Sequence, residues 1–322
     1  MSGLQGVLRG GPWATARSVD WRRYVLYIGF TLLFVVFAVA LSDEGFLTSN
    51  NLLNIIRQTA TISVMAVAVT FVIGAAEIDL SVGAVAGLAS VLCAMALDAY
   101  GLVPGIIAGL LLGVLVGSIN GALVVVVGIP SFLVTLGMLG IARGSAQWIT
   151  DSAPQPILND TFNNTFGSGD LGPIPSLVVW TAVAFAIGHV LLRHTPYGRG
   201  VLATGGNKEA ARFSGVPANR IKFLVMVGAS SAAAIAGMLY AGRLHSGRFQ
   251  WGEGDELSVI AAVILGGTSL FGGRASVIGA LLGSIMIGLI NNGLILMGLE
   301  FSQQQIIRGA IIILAVALVA RD

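Results

Sequence analysis

The 322-residue sequence contains little charge. Charged residues make up 10% of it, whereas hydrophobic residues make up 56%. Soluble domains usually carry about 25% charged residues, so this chain lacks the polar surface that a water-soluble globule of its size needs. The deficit excludes a cytosolic enzyme, a nucleic-acid-binding protein and a disordered scaffold. It indicates an all-α polytopic membrane protein.

Cysteine and metal-binding motifs are equally scarce. Cys93 is the one cysteine, so neither an intrachain disulfide nor a cysteine metal cluster can form. The three histidines are scattered, and the HExxH, CxxC and phosphate-loop motifs are absent. We therefore expect neither a metal site nor a cofactor in this chain. Glycine, by contrast, occurs 44 times, and in a bilayer this favours close helix packing and broken helices.

Apolar stretches recur at lengths close to the roughly 20 residues that a bilayer-spanning helix needs. We predict about ten spans, at 24–41, 54–74, 81–97, 103–127, 131–149, 176–192, 221–241, 257–271, 276–297 and 304–320. The third and eighth are short or interrupted by glycine, so they are candidates for broken or re-entrant helices. Residues 1–23 form a predicted cytoplasmic tail without signal-peptide features, and residues 24–322 form the transmembrane domain.

Charges in the loops predict the orientation. The loop between spans six and seven carries six basic residues and one acid, whereas the loop 150–175 carries Asp151, Asp160 and Asp170 and no base. Basic loops face the cytoplasm, and Arg274 and Arg321 fall on the same side when ten spans are counted. We therefore expect both termini in the cytoplasm and residues 150–175 outside.

The two halves of the chain share short motifs. Asp-Leu-Ser-Val at 79–82 recurs as Glu-Leu-Ser-Val at 256–259, and Asn-Gly at 120–121 recurs at 292–293. Spans two to five would then correspond to spans seven to ten. Because that shift is an odd number of spans, it predicts an inverted repeat, a pattern of transporters that bind substrate at the repeat interface. Coincidence among Gly- and Leu-rich segments is the alternative.

Several polar residues fall within or beside the apolar spans. Inserting an acid at hydrocarbon depth costs about 2.5–3.5 kcal/mol. Glu77, Asp79 and Glu256 are therefore expected to have a structural or functional role that offsets this cost. Asp79 and Glu256 either line a polar pathway or cap the helices that follow them. The intramembrane amides of Asn120, Asn291 and Asn292 either join helices or face a polar ligand. The glycine pair 272–273 favours a tight crossing of backbones.

A short helix is predicted in the basic loop. Asn207 can cap a helix beginning at Lys208, Gly215 can end it, and Pro217 prevents its continuation. The two turns between these signals are suited to transmit a partner's motion into the membrane. The alternative is an interfacial loop that contacts anionic lipid.

Five stretches resemble one family, the permease subunits of bacterial ABC importers for monosaccharides of the ribose, xylose and arabinose type. They are IDLSVG (78–83), GIPSFLVTLGMLGIARG (128–144), TPYGRGVLATGGNKEAARFSGV (195–216), ELSVIAAVILGGTSLFGG (256–273) and SVIGALLGSIMIGLINNGLILMG (276–298). The resemblance implies the ABC importer permease fold in the bacterial inner membrane. It also implies a membrane dimer of this chain with a second copy or a related chain. A partner ATPase inside would use ATP and Mg, and a periplasmic or lipid-anchored sugar-binding protein would dock outside.

The resemblance also implies roles for residues, none of them catalytic. The ATPase-coupling segment comprises Gly205, Gly206, Asn207, Lys208, Glu209, Ala210, Ala211, Arg212, Phe213, Ser214 and Gly215. The candidate substrate pathway comprises Asp79, Ser81, Asn120, Ser131, Thr135, Glu256, Thr268, Asn291 and Asn292. Arg243 and Arg248 are candidates for docking the binding protein, with lipid contact or loop solvation as the alternative.

Three features depart from the family's pattern and concern the identity of the solute. Ala76-Glu77 stands where a glycine pair is usual, Ser258 stands where an aspartate is usual, and the stretch 251–255 is unusually acidic. The cargo expected is a monosaccharide such as ribose or xylose. A polyol such as inositol or a furanose signal is the alternative within the same class. Less favoured are an ion-coupled secondary transporter using Glu77 and Asp79, and an intramembrane enzyme.

Overall fold

The computed structural model describes residues 22–319. Most of the predicted tail and Arg321 lie outside these residues. The helices are α1 (Arg22–Ala40), α2 (Ser49–Gly74), α3 (Val82–Tyr100), α4 (Leu102–Ala122), α5 (Ser131–Thr150), α6 (Asp160–Asn163), α7 (Ser176–His194), α8 (Pro196–Gly206), α9 (Lys208–Phe213), α10 (Ala218–Leu244), α11 (Asp255–Leu265), α12 (Val277–Leu296) and α13 (Phe301–Val319). A π-helical turn, Leu123–Val127, extends α4, and another, Asn164–Ser168, follows α6.

Four two-residue strands complete the described part of the chain. They are β1 (Gln155–Pro156), β2 (Asp170–Leu171), β3 (Ile174–Pro175) and β4 (Ser246–Gly247). β1 pairs antiparallel with β4, and β2 pairs antiparallel with β3. The first pair ties the loop after α5 to the end of α10.

The polytopic helical class is confirmed. Six helical stretches among the described residues are long and apolar enough to cross a bilayer, namely Ser49–Gly74, Val82–Tyr100, Leu102–Val127, Ser176–His194, Ala218–Leu244 and Val277–Leu296. The helices α1, α5 and α13 coincide in position with the first, fifth and tenth predicted spans. The total of ten spans stays a prediction.

Glycine allows close packing between α4 and α10. Gly105, Gly109, Gly113, Gly117 and Gly121 recur every fourth residue and are all buried on one face of α4. A Cβ at Gly117 would lie 2.5 Å from Val227 Cα, and one at Gly113 would lie 2.7 Å from the Ser230 carbonyl oxygen. The two backbones therefore approach as only glycine permits.

The eighth predicted span is the clearest departure from a regular helix. Residues 245–254 leave the end of α10 and run antiparallel to α3: Gly252 packs against Gly83, and the Phe249 carbonyl oxygen packs against Gly87. The Ser90 hydroxyl accepts a hydrogen bond from Arg248 N and donates one to Arg248 O, each at 3.1 Å. The eleven-residue α11 then begins beside the N-terminal end of α3. α11 ends at Leu265, followed by a turn at 266–267, so the interruption predicted for the eighth span is confirmed. The third span is instead the unbroken helix α3, so the break expected there is wrong.

Candidate functional site

The α2–α3 segment, residues 75–81, is irregular and depends on α5 for its backbone hydrogen bonds. Ile78 N donates to Ser131 Oγ, and Leu80 N donates to Thr135 Oγ1, each at 3.0 Å. Both hydroxyls are buried. An irregular backbone within a helical bundle needs such partners, so Ser131 and Thr135 hold the α2–α3 segment against α5 in this conformation.

Asp79, Ser81 and Asn120 form one buried network. Asp79 Oδ1 accepts from Ser81 N at 2.8 Å and from Ser81 Oγ at 2.6 Å, and Asn120 Nδ2 donates to Ser81 Oγ at 3.2 Å. None of the three is exposed. Asp79 binds the amide and hydroxyl of Ser81, the residue immediately before α3, and makes no described hydrogen bond to the first turn of α3. Of the two alternatives left open for Asp79, a capping bond to that turn is therefore not made.

Glu256 brings the second half of the chain to the same place. It is the second residue of α11, where a carboxylate favours the positive end of the helix dipole, and its Oε2 lies beside Gly83. Gly83 is four residues beyond Asp79. Asp79 Oδ2, Asn120 Oδ1 and Glu256 Oε2 are buried without a hydrogen-bond partner in the described structure. Glu256 of the second half and the Asp79 network of the first half thus both lie beside the start of α3.

The remaining pathway candidates make other contacts. Thr268 Oγ1 accepts from Ser276 N at 3.2 Å within the turn before α12. Asn292 and Asn51 exchange two amide hydrogen bonds, at 2.8 and 3.0 Å, between α12 and α2. Asn292 therefore joins two helices, as one of its two predicted roles required. No described hydrogen bond links Thr268 or Asn292 to the Asp79 network. Asn291 Oδ1 is buried without a partner.

An ion pair that the sequence analysis missed anchors the α2–α3 segment to α10. Glu77 Oε1 accepts from Lys222 Nζ. The two residues are 145 positions apart, so no local pattern could have paired them. The sequence pointed to Glu77 only through the unusual Ala76-Glu77 dipeptide. The structure shows that Lys222 is the partner of Glu77.

The predicted helix in the basic loop is confirmed. Asn207 Oδ1 accepts from Ala210 N at 2.9 Å at the start of α9, and Gly215, at φ +81°, follows its end. Of the six residues of α9, Ala211 alone is buried, and Phe213 is 90% exposed. α9 is therefore exposed over almost its whole surface.

A second helix, α8, precedes α9 and was not predicted. Thr195 Oγ1 caps it by accepting from Gly198 N at 3.2 Å, and Pro196 occupies its first position. Tyr197 stacks on Phe71 of α2 at a centroid distance of 5.9 Å. Burial raises the pKa of the Tyr197 phenol to about 12, so the ring stays uncharged at neutral pH.

The end of α8 fits tightly between two other backbones. A Cβ on Gly205 would overlap the carbonyl oxygen of Gly74, and that same oxygen accepts from Gly273 N at 3.1 Å. A Cβ on Gly272 would lie 2.7 Å from Gly205 O. The tight crossing predicted for the glycine pair is confirmed, and it connects α2, α8 and the turn before α12.

The arginines proposed for docking lie at the other end of α10. Arg243 is half-buried, whereas Arg248 is exposed with its guanidinium 5.5 Å from the Trp251 ring centroid. Nearby, Arg57 pairs with Asp170 and Arg143 with Glu253, both at 3.3 Å. Because these two pairs are partly exposed, each contributes little to stability. Among the described residues, no group of three His, Cys, Asp or Glu side chains could hold a metal ion.

Comparison with known proteins places this arrangement in a family. The family described as the branched-chain amino acid transport system permease component matches residues 51–316. A probable ABC transporter permease of Escherichia coli is 39% identical over 95% of this chain and 94% of its own length. The ribose import permease of Bacillus subtilis is 40% identical over 91% of each chain.

Another relative is the L-arabinose ABC transporter permease of Azospirillum brasilense, 34% identical over 96% of this chain and 89% of its own length. No solved structure matches the chain significantly. The family match covers most of the chain, including the α2–α3 segment, α9 and α11. The chain is therefore a multi-pass membrane protein that belongs to the branched-chain amino acid transport system permease family.

Proposed function

We propose that this chain is the permease subunit of an ATP-binding cassette importer that carries a monosaccharide, such as ribose or xylose, into the cell. The observation that carries the proposal is the similarity to ribose and arabinose permeases along nearly their whole length. A polyol such as inositol or a furanose signal offers the same hydroxyl chemistry and is the alternative cargo.

The proposed assembly places the chain in the bacterial inner membrane with ten spans and both termini in the cytoplasm. Spans two to five and seven to ten form an inverted repeat. The support is that both halves have the same order of elements. In the first half the long helix α2, the irregular residues 75–81 and α3 follow one another, and in the second half the long helix α10, the irregular residues 245–254 and α11 do so. The starts of α3 and α11 lie side by side. A second permease copy or related chain completes the membrane dimer, and a sugar-binding protein delivers the cargo. ATP and Mg are used by a partner ATPase, so this chain performs no bond chemistry.

The coupling surface is residues 205–215. The exposed α9, with Phe213 protruding from it, would seat in a groove on the ATPase. The caps at both ends of α9 keep it short and rigid, and the glycine crossing at Gly205 places the end of α8, just before α9, against the end of α2. Displacement of α9 by the ATPase would therefore reach the bundle directly, through packed backbone.

The substrate pathway runs past the polar residues at the start of α3. Asp79, Ser81 and Asn120 are fully buried in this conformation, so the pathway is closed there. When the α2–α3 segment moves, Asp79 Oδ2, Asn120 Oδ1 and Glu256 Oε2 would accept hydrogen bonds from sugar hydroxyls. Ser131, Thr135, Thr268, Asn291 and Asn292 complete the proposed polar set, the first two by holding the segment.

Docking of the binding protein is assigned to the opposite end of the molecule. Arg248 is exposed beside Trp251, and Arg243 lies at the end of α10. Charge pairs between these arginines and acids on the binding protein would speed encounter and depend on salt.

Two substitutions in the coupling segment test the proposal. Arg212→Glu reverses an exposed charge on α9, and Gly215→Pro requires φ near −65° at a position where φ is +81°. Both should reduce copurification of the ATPase and abolish ATP-dependent uptake of radiolabelled D-ribose, D-xylose or L-arabinose in proteoliposomes. Arg193→Glu, an equally exposed charge reversal at the end of α7, is the matched control and should leave both unchanged.

Unaltered assembly and uptake in both Arg212→Glu and Gly215→Pro would refute the coupling assignment. Uptake driven by a proton gradient without any ATPase would instead favour an ion-coupled transporter. That mechanism needs paired acids as a relay, whereas here Glu77 pairs with Lys222 and Asp79 bonds to Ser81.

A further inference from the structure

Three salt bridges join distant parts of the described chain. The salt bridge between Glu77 and Lys222 is the least exposed to solvent of the three. The Lys222 side chain is 16% exposed and that of Glu77 is 8% exposed, whereas the other two pairs are 28–54% exposed. Removing one partner of a shielded pair leaves the other charge desolvated and uncompensated. The pair therefore holds its two backbones in fixed register far more firmly than a surface pair would.

Through Glu77, the ion pair holds the α2–α3 segment against α10. Glu77 immediately precedes Ile78, whose amide binds Ser131, and stands two residues before Asp79. The segment is thus held by two hydroxyls of α5 and by one ammonium of α10. A displacement of Lys222 relative to α5 would pull on the residues that carry Asp79 and Ser81.

Through Lys222, the ion pair is connected to α9 by a short, stiff linker. Four residues, 214–217, separate α9 from α10. Val216 N donates to Ala211 O at 2.9 Å, Ala218 N donates to Val216 O at 2.8 Å, and Ile221 N donates to Pro217 O at 3.0 Å. Because this linker is hydrogen-bonded to both helices, a shift of α9 moves the first turns of α10 and Lys222 with them.

We propose that Glu77 and Lys222 are positioning residues that transmit the displacement of α9 to the α2–α3 segment, and so couple the ATPase to the opening of the pathway. This inference rests on the proposed function. The pair acts through the segment it holds, and neither residue needs to touch the sugar.

Charge reversal in the reconstituted complex tests the pair. The complex of permease, ATPase and binding protein is placed in liposomes, with radiolabelled D-ribose, D-xylose and L-arabinose as probes, and sugar molecules imported per ATP hydrolysed are measured. Glu77→Lys and Lys222→Glu should each lower this ratio by about tenfold while ATP hydrolysis continues. The double reversal should restore most of it, because the two charges again attract each other. A merely structural loss would lower the amount of folded complex and not the sugar imported per ATP by the complex that remains.

A second variant guards against misfolding of the single reversals. Glu77→Gln combined with Lys222→Met removes both charges, so no buried charge is left unpaired and the fold should persist, with the ratio still lowered. Asp170→Asn, which breaks the exposed pair with Arg57, is the matched control and should leave the ratio unchanged.

The outcomes separate the two claims. A wild-type ratio in the uncharged double variant, or a folded double reversal without recovery, would overturn the inference while leaving the importer function intact. A wild-type complex that imports none of the three sugars with ATP would overturn the proposed function and this inference with it.

Discussion

At the scale of single residues, Ala76 bears backbone strain. It follows the end of α2 at φ +59°, in the left-handed region that costs a residue with a Cβ about 1–2 kcal/mol. Glycine would remove that cost but would lose about 0.5–1 kcal/mol more conformational entropy on folding. We therefore expect Ala76→Gly to stabilise the protein by about 0.5–1 kcal/mol, seen as a rise of about 1–3 °C in the unfolding midpoint in detergent.

The matched control for Ala76 is another exposed alanine in ordinary helix. Ala99 lies in the last turn of α3, where replacement by glycine should cost about 0.5–1 kcal/mol. If both substitutions lower the midpoint alike, the strain assigned to Ala76 is absent.

Residue by residue, the sequence predicted what local chemistry determines. Asn207 and Gly215 were identified as helix ends because a capping amide and a left-handed glycine act within a few positions of themselves. For Asp79 the sequence left capping and a pathway role open, because the hydrogen bonds of Asp79 are decided by how the chain turns after α2. Glu77 could not be paired with Lys222, since that contact depends on the packing of α10 against the α2–α3 segment.

At the scale of elements, the glycine face of α4 determines how closely α4 and α10 pack. A Cβ at Gly117 would lie 2.5 Å from Val227 Cα, and backbone cannot rotate away as a side chain can. We expect Gly117→Ala to destabilise the protein by about 1–3 kcal/mol, measured by unfolding in detergent. Gly228→Ala on α10, where a Cβ meets nothing within 4 Å, should cause no loss. Equal stability of the two variants would refute close packing at Gly117.

Element positions were predictable where apolar runs are long, because the bilayer fixes the length of a spanning helix. The predicted span 257–271 is interrupted: α11 ends at Leu265, and the chain reaches α11 through the short strand β4 and the turns of residues 248–254. The small residues Gly83 and Gly87 of α3 leave room for this irregular backbone. No window of local hydropathy could reveal this, since the pairing joins positions more than 150 residues apart.

At the scale of the whole molecule, the two proposed surfaces, for coupling and for docking, lie at opposite ends of α10. Its first residues follow α9, and its last residues meet the loop 151–175 through β1 and β4. A 27-residue helix rises about 40 Å, which exceeds the roughly 30 Å hydrocarbon core. α10 can therefore place α9 and the 151–175 loop on different sides of the membrane, as the proposed ATPase on one side and the proposed sugar-binding protein on the other would require.

Cysteine labelling tests that arrangement. Thr161 in the 151–175 loop and Asn219 at the start of α10 are both exposed, whereas native Cys93 is buried and serves as the unlabelled background. A membrane-impermeant maleimide should label Thr161→Cys in intact spheroplasts but Asn219→Cys only after permeabilisation, because the charge pattern predicts that the basic loop faces the cytoplasm. The reverse pattern would put α9 beyond the reach of cellular ATP, and no ATPase could then act on it. Labelling of both positions from outside would mean that α10 does not cross the membrane.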